Sequence, residues 1–555
     1  MPYAPAGMFR CPTALALSKL RRIHGGLPLN SLKTLAVAMM LAASASQSGA
    51  AVSCQALDAA DVAATAIGLP TRGAHVDSAS VVRATADTGE YCKLLGRIVS
   101  VDASAPPIKF QLNLPMVWNQ KSMQLGGGGF DGTLVTGEGN VSHALAGSKT
   151  PLQRGYATFG SDSGHTGLHI QGRFALNEEA LRNFTGDALK KLRDVAMQLI
   201  QRRYGQAPWK SYISGGSSGG RETLAAIQRW PADYDGAVAH YPVLQYTATG
   251  LQANRMAQAL YAPGGFVNSA KMNHMNDQVL AACDALDGVA DGFINNVSAC
   301  HYDPAPLRCY GNIDWGPHCL TDAQLTTVRS FDAPLSLRFA FENGTTPQGY
   351  NIFAGANFGG PVDVGWSSVP LDAPTPVING YLYTVQSEWL KYFVTGNPAY
   401  DFRQFNPQTG SAWQARLHQL SKWHDAASLN LTPFAQRGGK LLMLHGTSDT
   451  IVSPRGTVDY FNRLRAQYGA QTLSSFLRLY MVAGFGHGEG RFTASWNALD
   501  LLEAWAERGQ PPVNPTTQDA LSLVGRTRPL CDYPMYPRYR AGPVDAAASF
   551  ECALP

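Results

Sequence analysis

The sequence predicts an α/β fold in which a parallel sheet carries a nucleophile between a strand and a helix. Three observations carry this expectation. The stretch Tyr212-Ile213-Ser214-Gly215-Gly216-Ser217-Ser218-Gly219-Gly220-Arg221 reads as the end of a buried strand, a glycine-dense turn and the start of a helix, with a G-x-S-x-G pattern across the turn. A second buried strand, residues 440–444, runs into His445-Gly446-Thr447-Ser448-Asp449. A third, residues 476–482, runs into Gly484-Phe485-Gly486-His487-Gly488. Serine, aspartate and histidine in that order, the last two each on a loop just after a strand, follow the chain order of the α/β-hydrolase fold. Functional groups belong at such carboxyl ends of parallel strands. An Asp449 that merely caps a helix and a His487 in a surface loop would need three coincidences to reproduce this order.

The 555 residues suffice for a hydrolase core with a large insertion. Residues 1–50 read as an export segment: Arg21, Arg22 and Lys33 precede the apolar run 35–43, and small residues follow, with translation starting at Met8 or later. That segment holds five of the 44 Lys and Arg and no Asp or Glu, so the rest carries 39 basic against 40 acidic side chains. Such a balance gives no basic surface for nucleic acid. Beyond residue 50 there is no apolar run long enough to cross a membrane. Eight cysteines remain after the segment, an even number suited to an oxidising compartment. Pairing neighbours in sequence gives Cys54–Cys92, Cys283–Cys300, Cys309–Cys319 and Cys531–Cys552. None has the C-x-x-C spacing of a zinc site.

In chain order, strands are expected at residues 91–101 and 108–115, then at Met123-Gln124-Leu125. The last runs into Gly126-Gly127-Gly128-Gly129-Phe130-Asp131-Gly132, where hydrolases of this fold keep their second oxyanion donor; a merely flexible loop is the alternative. A strand at 156–159 ends near Asp162 and His165, which are read as structural because the histidine should follow the nucleophile. A helix over 188–204 leads into the elbow strand. At the elbow two frames fit, Gly215 to Gly219 with Ser217 as nucleophile and Gly216 to Gly220 with Ser218; Ser217 is preferred because it directly follows the strand. A helix over 222–230 and a strand over 236–240 come next. From 244 to 433 the alternation fails, and Gly, Pro, Asn and aromatics dominate. This is expected to be an inserted lid domain, leaving 51–243 and 434–555 as the catalytic domain. Its aromatics, among them Trp366, Tyr381, Tyr383, Trp389, Tyr392 and Phe393, are expected mostly in the lid core, with some roofing a pocket.

With these stretches in hand, the chain resembles the tannase/feruloyl esterase family. The resemblance is carried by 215–221, by Cys283-Asp284-Ala285-Leu286-Asp287-Gly288-Val289-Ala290-Asp291-Gly292, by 439–449, 484–487 and Arg526-Thr527-Arg528-Pro529-Leu530-Cys531. It spans most of the chain after the export segment and is weakest over 304–426. It implies Ser217 as nucleophile, His487 as base and Asp449 as its orienter, with oxyanion N–H groups from Gly129 and Ser218. It implies His445 as a pocket-wall residue contacting substrate. It also implies structural calcium held by Asp284, Asp287 and Asp291 and by the carbonyls of Val289 and Phe293. Carboxylates at this short spacing, with Gly288 and Gly292 for the turns, suit a hard cation; a solvated acidic turn is the other reading.

One departure stands out. The family places a disulfide-bonded cysteine directly before the nucleophile and another directly after the histidine; here those positions are Gly216 and Gly488. They are expected to lie close and pack backbone against backbone. The implied function is a secreted or periplasmic serine carboxylic-ester hydrolase acting on small aromatic esters, hydroxycinnamoyl or galloyl, with no cofactor for the chemistry. A hydrolase of terephthalate-type monoesters or other polyester fragments, and a non-catalytic binding protein on the same scaffold, stay open.

Overall fold

The computed structural model describes residues 51–360, 367–371, 380–408 and 411–555; the expected export segment and Trp366 lie outside them. Ten strands form one sheet in the order β1-β2-β3-β4-β6-β5-β7-β8-β9-β10. They are β1 (Asp61–Val62), β2 (Ala74–Val82), β3 (Tyr91–Ile98), β4 (Ile108–Pro115), β5 (Lys121–Leu125), β6 (Ala157–Ser161), β7 (Lys210–Gly216), β8 (Gly236–His240), β9 (Lys440–Gly446) and β10 (Leu477–Val482). β1 to β4 pair antiparallel, β4 meets β6 antiparallel, and from β6 to β10 every pairing is parallel.

The parallel half shows why its strands read as continuous apolar runs. Successive side chains point to opposite faces of a strand, and in a parallel sheet both faces are covered. Ile213, Ala237, Ala239, Leu441, Met443, Leu477 and Leu479 pack on one face against Leu224 and Ile227 of the helix Ser218–Arg229 and Tyr460 and Leu464 of the helix Pro454–Tyr468. Tyr212, Val238, Leu442, Leu444, Tyr480 and Val482 pack on the other against Leu499, Leu502 and Trp505 of the helix Ala498–Arg508. The antiparallel half is covered by the helix Ala188–Tyr204, whose Leu192, Val195 and Leu199 meet Leu94, Leu112 and Phe159.

β8 and β9 are neighbours in the sheet, yet residues 241–439 separate them in sequence. This insert is mainly helical, with helices at Tyr246–Tyr261, Ser269–Cys283, Asp322–Asp332, Tyr381–Glu388 and Ser411–His424. Most of its apolar side chains, including Leu251, Met256, Phe331, Trp389 and Phe393, share a cluster distinct from those on the sheet. Phe130 and Phe184, from outside the insert, plug into it. Among the described residues no helix is long and apolar enough to cross a membrane.

The four disulfides are those expected, Cys54–Cys92, Cys283–Cys300, Cys309–Cys319 and Cys531–Cys552. They close loops of 38, 17, 10 and 21 residues. Cross-links over such loops restrict the unfolded chain, each by roughly 3 kcal/mol in the chain-entropy model. Peptide mapping without reduction should recover all four pairs, and Cys531→Ala with Cys552→Ala should lower the melting temperature by several degrees. Free thiols at any of the eight positions would contradict the framework.

Candidate active site

β7 ends at Gly216, and the next residue takes a conformation that few side chains adopt: Ser217 has φ 57° and ψ −121°. Strain of this kind costs about 1–3 kcal/mol and persists where packing enforces it. The enforcing contacts are backbone on backbone. A β-carbon on Gly215 would lie 2.5 Å from the carbonyl carbon of Gly219, and one on Gly219 would lie 2.6 Å from the carbonyl oxygen of Gly127. Only glycine allows the helix Ser218–Arg229 to start this close to the strand and to the glycine run after β5.

The sharp turn lifts the Ser217 hydroxyl out of the sheet, and two loops come to meet it. His487 Nε2 is 3.0 Å from Ser217 Oγ, and His487 Nδ1 is 2.9 Å from Asp449 Oδ2. This is the spacing of a nucleophile, a base and an orienting carboxylate. Ser218, the other candidate in the motif, turns away and donates its hydroxyl to the Gly129 carbonyl at 2.6 Å. Asp449 is fully buried; its Oδ1 accepts the N–H groups of Ile451 and Val452 at 2.8 and 2.9 Å. Burial alone would raise its pKa, but the charge of His487 and hydrogen bonds from His445 and His487 outweigh it and hold the carboxyl well below its usual range.

His445 differs from expectation. It lines no wall of the site: its side chain is completely buried, with Nδ1 2.8 Å from Thr457 Oγ1 and Nε2 3.1 Å from Asp449 Oδ2. The reason is alternation along β9, which turns residue 445 beneath the loop that carries Asp449. His445 braces the carboxylate from behind. Asp162 and His165 are structural, as expected. Asp162 accepts the N–H groups of Lys109 and Gly164, and His165 stacks on Phe174 with ring centroids 3.6 Å apart. Burial pushes the His165 pKa down to about 4.

Gly129 has φ +60°, and a β-carbon there would sit 2.4 Å from the His169 carbonyl oxygen. Two acids missed at the sequence level support this loop from behind. Glu222 Oε2 accepts the Gly127 N–H at 3.0 Å, and Asp131, buried beside it, crowds the space a side chain on Gly127 would need. Burial, then the charge and hydrogen bonding of Glu222, push Asp131 well above the usual carboxylate range. Their signals were present in sequence, one acid just after the glycine run and one in the helix that follows the elbow, but no spacing rule joins them.

Two spaces flank Ser217 and His487. One is narrow and apolar, beside Ser217, Ser218 and Gly129, walled by Val243, Tyr246, Tyr381, Val385, Trp389 and Ile451. The other is an open cleft of about 300 Å³ running past His487, with Asn276, Asn357, Ser448, Thr450, Glu489 and Arg491 along it. A larger cavity of about 590 Å³, lined by Tyr302, Arg455 and Tyr533 among others, includes neither Ser217 nor His487, so size does not mark this site. Of the insert aromatics, Tyr381 and Trp389 reach the narrow pocket, whereas Tyr383 stacks on Tyr261 and Phe393 on Phe130. Gly216 also departs from expectation. The atoms nearest to a β-carbon there are those of the Tyr241 ring, not the backbone of Gly488.

In the insert, the acidic loop wraps on itself. Asp284 accepts N–H groups from Asp291, Gly292 and Phe293, Asp287 accepts from Val289 and Asn295, and Asp291 pairs with Arg528 at 2.6 Å. Gly288 and Gly292 make the turns at φ +102° and +91°.

The raised pKa of Asp131 has a consequence for stability. Between its unfolded value and its higher folded value, the native chain holds a proton the unfolded chain has lost, so stability falls as pH rises through that window. Asp131→Asn removes the penalty. Its melting temperature should therefore gain on the parent at pH 8 and gain little at pH 4; equal differences at both would show that Asp131 does not hold the proton.

Comparison with known proteins identifies the family. Residues 92–553 fit the family model for tannase and feruloyl esterase. An esterase of Agrobacterium fabrum is 36% identical over 536 residues, covering 94% of this chain and 96% of the relative. Mono(2-hydroxyethyl) terephthalate hydrolase of Piscinibacter sakaiensis is 30% identical over 542 residues, covering 86% and 87%. The crystal structure of feruloyl esterase B from Aspergillus oryzae superposes with a TM-score of 0.73 at 23% identity, over 90% of this chain and 100% of that one, and shares the fold. This chain is a carboxylic ester hydrolase that belongs to the tannase and feruloyl esterase family.

Proposed function

We propose that the enzyme is an exported serine esterase that cleaves esters of aromatic acids with polar alcohols, using Ser217, His487 and Asp449. The observation that carries the reading is the hydrogen-bonded chain from Ser217 through His487 to Asp449, set between an aromatic-walled pocket and a polar cleft. In this reading Ser217 Oγ attacks the ester carbonyl carbon while His487 Nε2 takes its proton. Asp449 keeps the imidazole in the tautomer with Nδ1–H and stabilises the imidazolium. The N–H groups of Gly129 and Ser218 bind the oxyanion, each worth a few kcal/mol. The C–O bond then breaks, His487 returns the proton to the departing alcohol oxygen, and water repeats the attack on the acyl-enzyme.

The acyl group goes to the side of Tyr246, Tyr381 and Trp389, where flat rings can stack. The alcohol goes to the side of Asn276, Ser448 and Thr450, where hydroxyls find partners. The likeness to mono(2-hydroxyethyl) terephthalate hydrolase favours a terephthalate-type monoester as the second reading, which fits the same division into a flat acid and a polar alcohol. Turnover of feruloyl, galloyl and terephthaloyl esters side by side ranks these substrates. Four disulfides support export.

Calcium fits the acidic loop as a structural ion. The donors are all oxygen. Burial pushes Asp287 up to about 6, and burial also raises Asp291 against the pull of Arg528; a cation relieves both. Among the described residues no three such side chains already converge as a metal centre. Asp284, Asp287 and Asp291 with the carbonyls of Val289 and Phe293 would hold the ion.

Ser217→Ala should abolish ester hydrolysis with the melting curve unchanged, whereas Ser218→Ala should keep appreciable activity because its N–H remains. The reverse pattern would move the nucleophile to Ser218. A chelator should lower the melting temperature; an unchanged curve with no metal by elemental analysis removes the calcium site.

A further inference from the structure

Tyr241 follows the last residue of β8 and stands at φ +30°, in the left-handed range that side chains disfavour. Its surroundings over-determine it. Its N–H donates to the Leu444 carbonyl of β9 at 2.7 Å, and its phenol bonds His143 Nε2 at 2.7 Å. Burial first, and the charge of His487, push the His143 pKa down to about 4, which keeps the imidazole neutral. Anchored in this way, the Tyr241 ring lies 4.6 Å from the His487 imidazole, centroid to centroid, tilted by 55°. Its edge also lies 3.0 Å from where Gly216 would carry a β-carbon. One buried side chain thus touches both the residue before Ser217 and the imidazole that faces Ser217.

The imidazole needs such a contact. The hydrogen bonds to Asp449 and Ser217 hold the two ring nitrogens, and the tilt of the ring about the line between them is set by packing. The loop bearing His487 contains Gly484, Gly486, Gly488 and Gly490, with φ +73° at Gly484 and +96° at Gly488. A packed ring face fixes the tilt.

We propose that Tyr241 is a positioning residue that locks the His487 imidazole onto Ser217, filling the space that Gly216 leaves open beside it. The inference rests on the assignment of Ser217, His487 and Asp449 above. Proton transfer falls steeply with misplacement, and a shift of about 1 Å costs about 10²-fold.

The test uses the full chain and 4-nitrophenyl benzoate. Tyr241→Ala should lower kcat by about 10²-fold, with KM within about twofold, because the loss falls on the reacting geometry and not on binding. Tyr241→Phe, which keeps the ring and loses the phenol, should lose less than about fivefold. Gly216→Ala pushes a methyl group into the ring and should also lower kcat, and combining it with Tyr241→Ala should cost less than the two losses multiplied, because the collision is gone. A folded Tyr241→Ala enzyme with parental kcat, or strictly multiplicative losses in the double variant, overturns the proposal. If Tyr241→Ala does not fold, Gly216→Ala decides: reduced kcat at parental KM supports the lock and parental kcat overturns it. Ser217→Ala separates the two readings. If it remains active the triad assignment fails; if it is dead while the Tyr241 and Gly216 variants keep their kcat, only the lock fails.

Discussion

The site depends on backbone contact between two glycine runs. Gly215 and Gly219 meet across the elbow, and Gly126 and Gly127 press on Gly219 from the loop after β5, with no side chain between them. Any β-carbon at these positions would fall inside 3 Å of backbone or of the carboxylate behind it. The result is a serine in a strained conformation at a helix N-terminus, next to a loop whose N–H groups are already oriented. In the proposed mechanism, donors held in place before the reaction starts need no reorganisation as charge develops.

Buried acids hold this arrangement from two sides, by different physics. Asp449 is stabilised as an anion by two imidazoles and two backbone N–H groups. Asp131 has Glu222 for a neighbour and is pushed toward the neutral acid. A carboxyl in its neutral form tolerates burial that the anion would not. So Asp131, beside the glycine run, and Asp449, beside His487, are driven in opposite directions within one site.

The insert gives the site its walls. It enters between two adjacent strands, where a long excursion does not disturb the sheet, and it brings Tyr381 and Trp389 over Ser217. Its polar edge, with Asn276 and Asn357, borders the cleft past His487. The two spaces therefore present unlike surfaces, apolar and aromatic beside Ser217 and polar past His487.

Much of this was determined by sequence alone, because it depends on local rules. Continuous apolar runs marked β7, β8 and β9, a fully covered parallel sheet leaving no polar face to write in. G-x-S-x-G marked the elbow, and the order of Ser217, Asp449 and His487 marked three side chains that meet in the structure. Cysteines near in sequence found each other because short loops close easily. The tertiary structure decided what no local rule encodes. It put His445 behind Asp449, since the pleat of β9 turns that ring into the core. It covered Gly216 with Tyr241, a residue just past the end of the neighbouring strand, and set Glu222 under Gly127. The last two contacts join residues far apart in the chain, and only the packing of strands, loops and helices against one another determines which side chain fills a gap left by glycine.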